Sequence, residues 1–155
     1  MKFDICLPNA MEGLLVPSSF AGSKEIGEFA QLAERLGYHS IWGFDFINPA
    51  CRAEIPDTET PHWYELMTTL AYVAGLTEKV RLVAGVIVVP NRDPVMLAKQ
   101  AVTVDHFSNG RLDLGIGLGG RQEFETIQPR ERRAHRGDML DEKLEALQLL
   151  LREGD

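Results

Sequence analysis

The chain alternates between short runs rich in β-branched and aromatic residues and longer stretches whose apolar positions recur every three or four residues. The first pattern reads as strand and the second as amphipathic helix. Phe3–Leu7 predicts a first strand, followed by a loop over Pro8–Gly22 that carries Gly, Pro and Ser. Ser23 is placed to cap a first helix with the stripe Ile26, Phe29, Ala30, Leu32, Ala33 and Leu36, and Gly37 stops it. "HSIWGF" (39–44) predicts a second strand, and Asp45–His62 a long loop broken by Pro49, Pro56 and Pro61. The spacing of Leu66, Met67, Leu70, Val73 and Ala74 then predicts a second helix over Trp63–Leu76.

"VRLVAGVIVVP" (80–90) carries the strongest strand pattern. Apolar on both faces, it suits a parallel strand with helices outside and a filled interior inside. Pro94 opens a third helix through Leu97, Ala98, Ala101, Val102 and Val104, and Ser108-Asn109-Gly110 ends it. Leu112–Ile116 predicts a fourth strand. After an Arg-rich connection, Met139, Leu140, Leu144, Leu147, Leu150 and Leu151 mark a fourth helix. The order β-α-β-α-β-α-β-α implies right-handed crossovers and a parallel sheet. It fits both a doubly wound sheet and part of a (β/α)8 barrel. No internal boundary is visible, so residues 1–155 read as a single domain.

Composition narrows the functional classes. With 45% hydrophobic and 25% charged residues, the chain has the make-up of a globular protein. A net charge of −7 argues against nucleic acid as a partner, because phosphate contacts need a basic surface. No apolar run approaches the ~20 residues of a membrane span, and no secretory leader is visible at the start. Cys6 and Cys51 give neither a disulfide framework nor a metal spacing. The expected location is the cytoplasm, with no membrane partner and no metal.

"GRLDLGIGLGG" (110–120) holds Gly115, Gly117 and Gly120 in the G-x-G-x-x-G spacing of a dinucleotide phosphate loop. That fingerprint belongs to the first strand-to-helix turn, whereas here it follows the fourth strand. The residues after Gly120 show no sustained apolar stripe before Pro129. Two readings remain: small residues let the strand end turn sharply, or a flat ligand needs the backbone to approach it closely. A doubly wound nucleotide-binding domain would instead place its ligand where the strand order reverses.

Three stretches taken together resemble the luciferase-like flavin-dependent oxidoreductases, which include bacterial luciferase and the deazaflavin-dependent reductases. They are "AERLGYHSIWGFDF" (33–46), "TEKVRLVAGVIVVPNRDPVMLAKQAVTVDHFSNGRLDLGIGLG" (77–119) and "EF" (123–124). The resemblance implies a TIM barrel with its active site at the carboxyl ends of the strands. It implies FMN or the deazaflavin F-420 as cofactor and a small organic substrate, by monooxygenation with reduced FMN or by hydride transfer with the deazaflavin. On this pattern Asp45 is the candidate catalytic residue, orienting cofactor or substrate. Gly85 and Val86 match the position of a non-prolyl cis peptide that backs the flavin ring. Gly117, Leu118 and Gly119 would let the backbone approach the cofactor.

One departure matters. Many members of the family place a histidine after the aspartate of the second strand, and this chain has Phe46. The resemblance thus points to an apolar contact for ring or substrate there, and none of His39, His62, His106 and His135 is a persuasive general base. Arg121, Arg130, Arg132, Arg133 and Arg136 crowd the last connection. Either they balance Glu123, Glu125 and Glu131 in solvent, or one, foremost Arg121, clamps a phosphate or acidic substrate.

A whole barrel takes about 250 residues, and four β/α units are expected here. Such a half leaves two strand edges and an apolar inner surface open. The expectations are a piece of a longer barrel, a homodimer forming a pseudo-barrel, or a small open α/β domain. The rival function is a catalytically idle half-barrel that binds itself or a partner.

Overall fold

The computed structural model describes residues 1–9, 21–47, 63–128 and 135–152. Cys51, His62, Glu131, Arg130, Arg132 and Arg133, and most of the two loops expected after the first and second strands, lie outside the described residues. Four strands, β1 (Asp4–Cys6), β2 (Ser40–Gly43), β3 (Arg81–Val88) and β4 (Leu112–Gly117), form a parallel sheet in the order β1-β2-β3-β4. The described helices are α1 (Ser23–Arg35), α2 (Leu66–Ala74), α3 (Pro94–Ser108), the short α4 (Arg121–Ile127) and α5 (Arg136–Arg152), with a 3₁₀ turn at Val89–Asn91. The strand order never reverses among the described strands, so the switch point that a doubly wound nucleotide fold needs is not present there. The sheet is the sequential parallel arrangement of a (β/α)8-type fold. No described helix is long and apolar enough to cross a membrane.

Several helix ends follow from their residues. Asp93 caps α3 through Met96 N–H, Pro94 occupies the first turn, and Asn109 closes the helix at φ 57°. After α1, Gly37 takes φ 80°, while Gly37 N–H bonds Glu34 O and Tyr38 N–H bonds Ala33 O. This double closure needs a residue that tolerates a left-handed backbone.

Other ends correct the sequence reading. Gly22, not Ser23, is the cap of α1 and makes no side-chain cap bond. The second helix starts at Leu66 rather than Trp63, because the Glu65 carboxylate accepts from Met67 N–H and Thr68 N–H and fixes its first turn. A helix, α4, does open on Gly120, and it buries Phe124. Leu32 and Leu36 are 45% and 67% exposed, since the buried line of α1 runs through Ile26, Ala30 and Ala33. In α5 only Met139 and Leu147 are buried, and Leu150 and Leu151 face out.

The core lies between the sheet and its helices. Ile41, Leu82, Ala84 and Ile87 meet Ile26, Ala30, Leu70, Val73, Leu97 and Ala101 there. At the amino ends of the strands the core is closed by a buried arginine. Arg111 donates to Ala74 O, Thr77 O, Thr77 Oγ1, Val80 O and Ser108 O at 2.5–3.1 Å. Beside it the Glu34 carboxylate accepts from the N–H groups of Glu78, Lys79 and Val80. Burial works against its charge, but these backbone donors outweigh it and hold the carboxyl below its usual range.

Candidate functional site

The opposite, carboxyl end of the sheet is where the sequence placed its candidate site. Residues alternate sides along a strand. In β2 and its extension Ile41 enters the helix-side core, and the Gly43 Cα faces Leu66 of α2. Trp42 therefore faces the other, inner side, and Phe44 and Phe46, just past the strand, are tied to it through ring contacts. The Trp42 and Phe44 rings meet edge to face at 5.0 Å and 71°. Trp63, just ahead of α2, meets Phe44 at 5.9 Å and 81° and Phe46 at 5.0 Å and 37°. The Asn9 side chain holds this strand end from the β1 side, donating to Phe44 O at 2.8 Å and accepting from Phe44 N–H at 3.1 Å. Asn9 is fully buried, so its amide stands in for a rung of strand pairing.

Next to this wall, β3 departs from regular register against β4 between Ala84 and Ile87. The Gly85–Val86 peptide is cis, the feature the resemblance implied at this position. Val86 is 43% exposed while Ile87 and Val88 are buried. A side chain at Gly85 would press on Trp42, 3.1 Å from its Cε3. Along β4, a Cβ at Gly115 would lie 2.5 Å from Ala84 O, one at Gly117 would run into Val86, and one at Gly119 into Val88. Crowding by the bulged strand thus accounts for these glycines without any ligand, and Gly119 also needs its φ of 74°. The product is a shallow platform. Val86 stands over Gly115 and Gly117, where β4 carries no side chain, and the rings of Trp42 and Phe44 border it.

Asp45 lies at the same end but is not presented to solvent. Its side chain is 1% exposed and accepts from Val88 N–H at 2.8 Å. Arg92 donates to both of its oxygens, at 2.5 and 3.2 Å, and reaches Glu65 at 2.9 Å. Burial opposes the charge of Arg92, yet the two carboxylates outweigh it and raise the guanidinium pKa above its ordinary value. For Glu65 burial is likewise outweighed, by Thr68 and Arg92, and its carboxyl sits below the usual range. Lys143 donates to Pro90 O and Arg92 O, and Gln128 to Pro90 O, so the turn after β3 is held from α2, α4 and α5 sides together. Within that turn the Asn91 amide is buried with neither its oxygen nor its nitrogen hydrogen-bonded.

Of the sequence candidates, the structure brings together Asp45, Val86, Gly117 and Gly119, linked through Val88 N–H and the Val86 and Val88 side chains. Phe46 joins them through Trp63, and Leu118, half-buried, continues β4. Arg121 stands apart in character, 84% exposed and paired with Glu125 at 2.6 Å. Arg136, weighed only as part of the Arg-rich run, reaches the glycine strand end, donating to Gly119 O at 3.1 Å. Sequence reasoning missed Trp42, Phe44, Trp63, Asn9 and Arg92. The aromatic alternation in "IWGFDF" was a usable signal for the first two. On the inner face Cys6 holds its thiol against Leu7 O, and burial pushes its pKa up to about 11, so it is no thiolate nucleophile at neutral pH.

Comparison with known proteins finds related sequences and folds. The family model for luciferase-like monooxygenases matches residues 1–155. The oxygenase component of a flavin-dependent trigonelline monooxygenase from Acinetobacter baylyi is 33% identical over 127 residues, covering 81% of this chain and 33% of its own. The oxygenating component of 3,6-diketocamphane monooxygenase from Pseudomonas putida, solved with FMN, superposes with a TM-score of 0.70 at 17% identity, over 95% of this chain and 38% of that one. A secondary alcohol dehydrogenase dependent on coenzyme F-420, solved with a coenzyme–acetone adduct, gives 0.69 at 17%, over 96% and 42%. The chain spans about a third of the length of the curated relatives it matches. By its match over residues 1–155, the chain belongs to the luciferase-like monooxygenase family.

Proposed function

We propose that this chain supplies the cofactor-facing half of a flavin- or deazaflavin-dependent oxidoreductase site. The observation that carries the reading is the exposed Val86 side chain, raised at the carboxyl end of β3 over Gly115 and Gly117 of β4. A planar ring system needs such a flat apolar seat, and parallel α/β sheets bind ligands at this end. The unpartnered Asn91 amide supports the same reading, because a buried donor and acceptor without partners is rare in a finished site.

When bound, the cofactor supplies the redox chemistry, oxygen activation from a reduced flavin or hydride transfer from a deazaflavin. The chain's residues hold and shield it. Val86 supports the ring, and Gly117, Leu118 and Gly119 offer backbone to its edge. Asp45 acts by fixing the Val88 N–H and Arg92, which keeps β3 in its bulged course. Phe46 gives the substrate an apolar face where a proton-transfer group would otherwise stand. A cofactor phosphate is better served by Arg136, beside Gly119, than by Arg121, whose guanidinium is spent on Glu125 in solvent.

Titration with FMN and with F-420, followed by absorbance and fluorescence, tests the reading. Saturable micromolar binding by one of them is expected, weakened about tenfold or more by Val86→Asp. Binding of neither overturns it. A second reading, an idle half-barrel that associates with a copy of itself or with the rest of a barrel, is favoured by the open outer edges of β1 and β4 in the described sheet. It predicts concentration-dependent sedimentation with no flavin binding.

A further inference from the structure

Resting on the reading above, a closed path of polar contacts behind the Val86 seat gives a role to the residue that starts α2. Tyr64 N–H donates to Asn9 O at 3.0 Å. The Asn9 side chain donates to Phe44 O at 2.8 Å and accepts from Phe44 N–H at 3.1 Å. Asp45, next in the chain, takes Arg92, and Arg92 Nη2 also reaches Glu65 Oε1 at 2.9 Å. Glu65 returns to Tyr64 through one peptide bond, so the path closes on itself. It ties the carboxyl ends of β1, β2 and β3 to the first turn of α2. Val88 N–H hangs from it, donating to Asp45 Oδ2 at 2.8 Å.

Glu65 does two things in this circuit, and they can be pulled apart. As a cap, its Oε2 accepts from Thr68 N–H at 2.7 Å and its Oε1 from Met67 N–H at 3.3 Å. Ser, Asp or Asn would serve a helix start at least as well, so capping alone does not call for glutamate. Reach does. The longer stem carries Oε1 to the same guanidinium nitrogen that Asp45 Oδ1 holds, which sets Arg92 Nη2 between two carboxylates. The Asp45 side chain is 1% exposed and that of Glu65 40%, so Glu65 is the solvent-side hold on a buried pair. The other arm of the fork, Arg92 Nε, meets Asp45 Oδ2 at 3.2 Å, the oxygen that Val88 N–H also uses. We infer that Glu65 is a positioning residue for the cofactor seat: through Arg92 and Asp45 it fixes Val88 N–H, and with it the placement of Val86 over Gly115 and Gly117.

Amide hydrogen exchange, followed by NMR on the full chain without added cofactor, reads the circuit; titration with FMN and with F-420 reads the seat. Glu65→Ser keeps a cap and loses the reach. Val88 N–H exchange should rise about tenfold in this variant, while Val73 N–H in α2 stays within about twofold. Leu82 N–H, bonded to Arg111 O at the far end of the sheet, should likewise stay within about twofold. Affinity for the cofactor that binds should fall about tenfold. Glu65→Gln, whose amide oxygen spans the same distance, should bring both readings back to within about threefold of the unmodified chain. Unchanged Val88 exchange in Glu65→Ser overturns the inference. So does acceleration shared equally by Val73 or Leu82, the mark of a lost cap or a general loosening. Faster Val88 exchange with unchanged affinity for a cofactor that binds overturns it too. If Glu65→Ser fails to fold, Glu65→Asp, shorter but with charge and cap kept, should still speed Val88 exchange about fivefold, and no change there is equally fatal. Cofactor binding with Val88 exchange unchanged defeats this inference alone; faster Val88 exchange in a chain that binds neither cofactor defeats the proposed function and leaves the hold of Glu65 on Val88 standing.

Discussion

Asp45 and Arg92 join the carboxyl ends of two neighbouring strands by a bidentate pair, with the carboxylate 1% and the guanidinium side chain 10% exposed. The same aspartate bonds Val88 N–H, so one side chain fixes both the end of β3 and the turn beyond it. Its place is behind the platform rather than on it.

Breaking that pair from one side should cost about 3–5 kcal/mol, since a buried charge is left without its partner. Urea denaturation of Asp45→Asn and Arg92→Met checks this. The double variant should cost clearly less than the sum of the two singles. Additive losses would show that the pair is not the unit that holds the rim.

Arg111 should be as costly to lose, although it lies at the end of the sheet opposite the candidate site. Arg111→Met keeps the stem but strands the carbonyls of Ala74, Thr77, Val80 and Ser108, a loss of about 3 kcal/mol by chemical denaturation. Arg111→Lys should recover less than half, because an ammonium cannot span the fork. Flavin affinity of the folded fraction should not change.

Gly117→Ala places a methyl group against Val86, and the expected penalty is about 1–3 kcal/mol. Val86→Ala on that background should restore most of it, with a coupling of about 1 kcal/mol in the double-mutant cycle. Absence of coupling would mean that the glycine serves something other than the bulged strand.

Acid should destabilise the fold through identifiable carboxylates. Glu34, Glu65 and Asp113 all have folded pKa values below their usual range, Asp113 chiefly through its bond with Arg81. A depressed folded pKa contributes stability above the unfolded value and loses it as pH falls through the folded one. The melting temperature should hold between about pH 7 and about pH 5, then fall below about pH 4. Glu34→Gln should lower it at neutral pH and flatten part of the acid slope. A melt unchanged down to about pH 3 would contradict this account.

Much of this architecture was legible in the sequence because its signals are local. Pro94 and Asn109-Gly110 bracket α3 where the pattern put them, and the apolar run of β3 reads as a parallel strand. Glu65 was not legible as a cap, since its role comes from two backbone N–H groups that the chain turns toward it. The α4 helix escaped because seven residues with one buried anchor, Phe124, leave no periodicity to detect. For the candidate site, the family resemblance singled out Asp45, Val86 and the glycines, which the fold gathers at one end of the sheet. The partners that define what these residues do, Arg92 for Asp45 and Trp63 for Phe46, lie 47 and 17 positions downstream. No pattern within a single element can announce such pairs.

The sequential order of the sheet has a consequence for how the molecule is made. Among the described strands each hydrogen-bonds to its sequence neighbours, so β2, β3 and β4 each meet, on emerging, a partner already made. These three pairings can then form in order from the amino terminus as the ribosome moves.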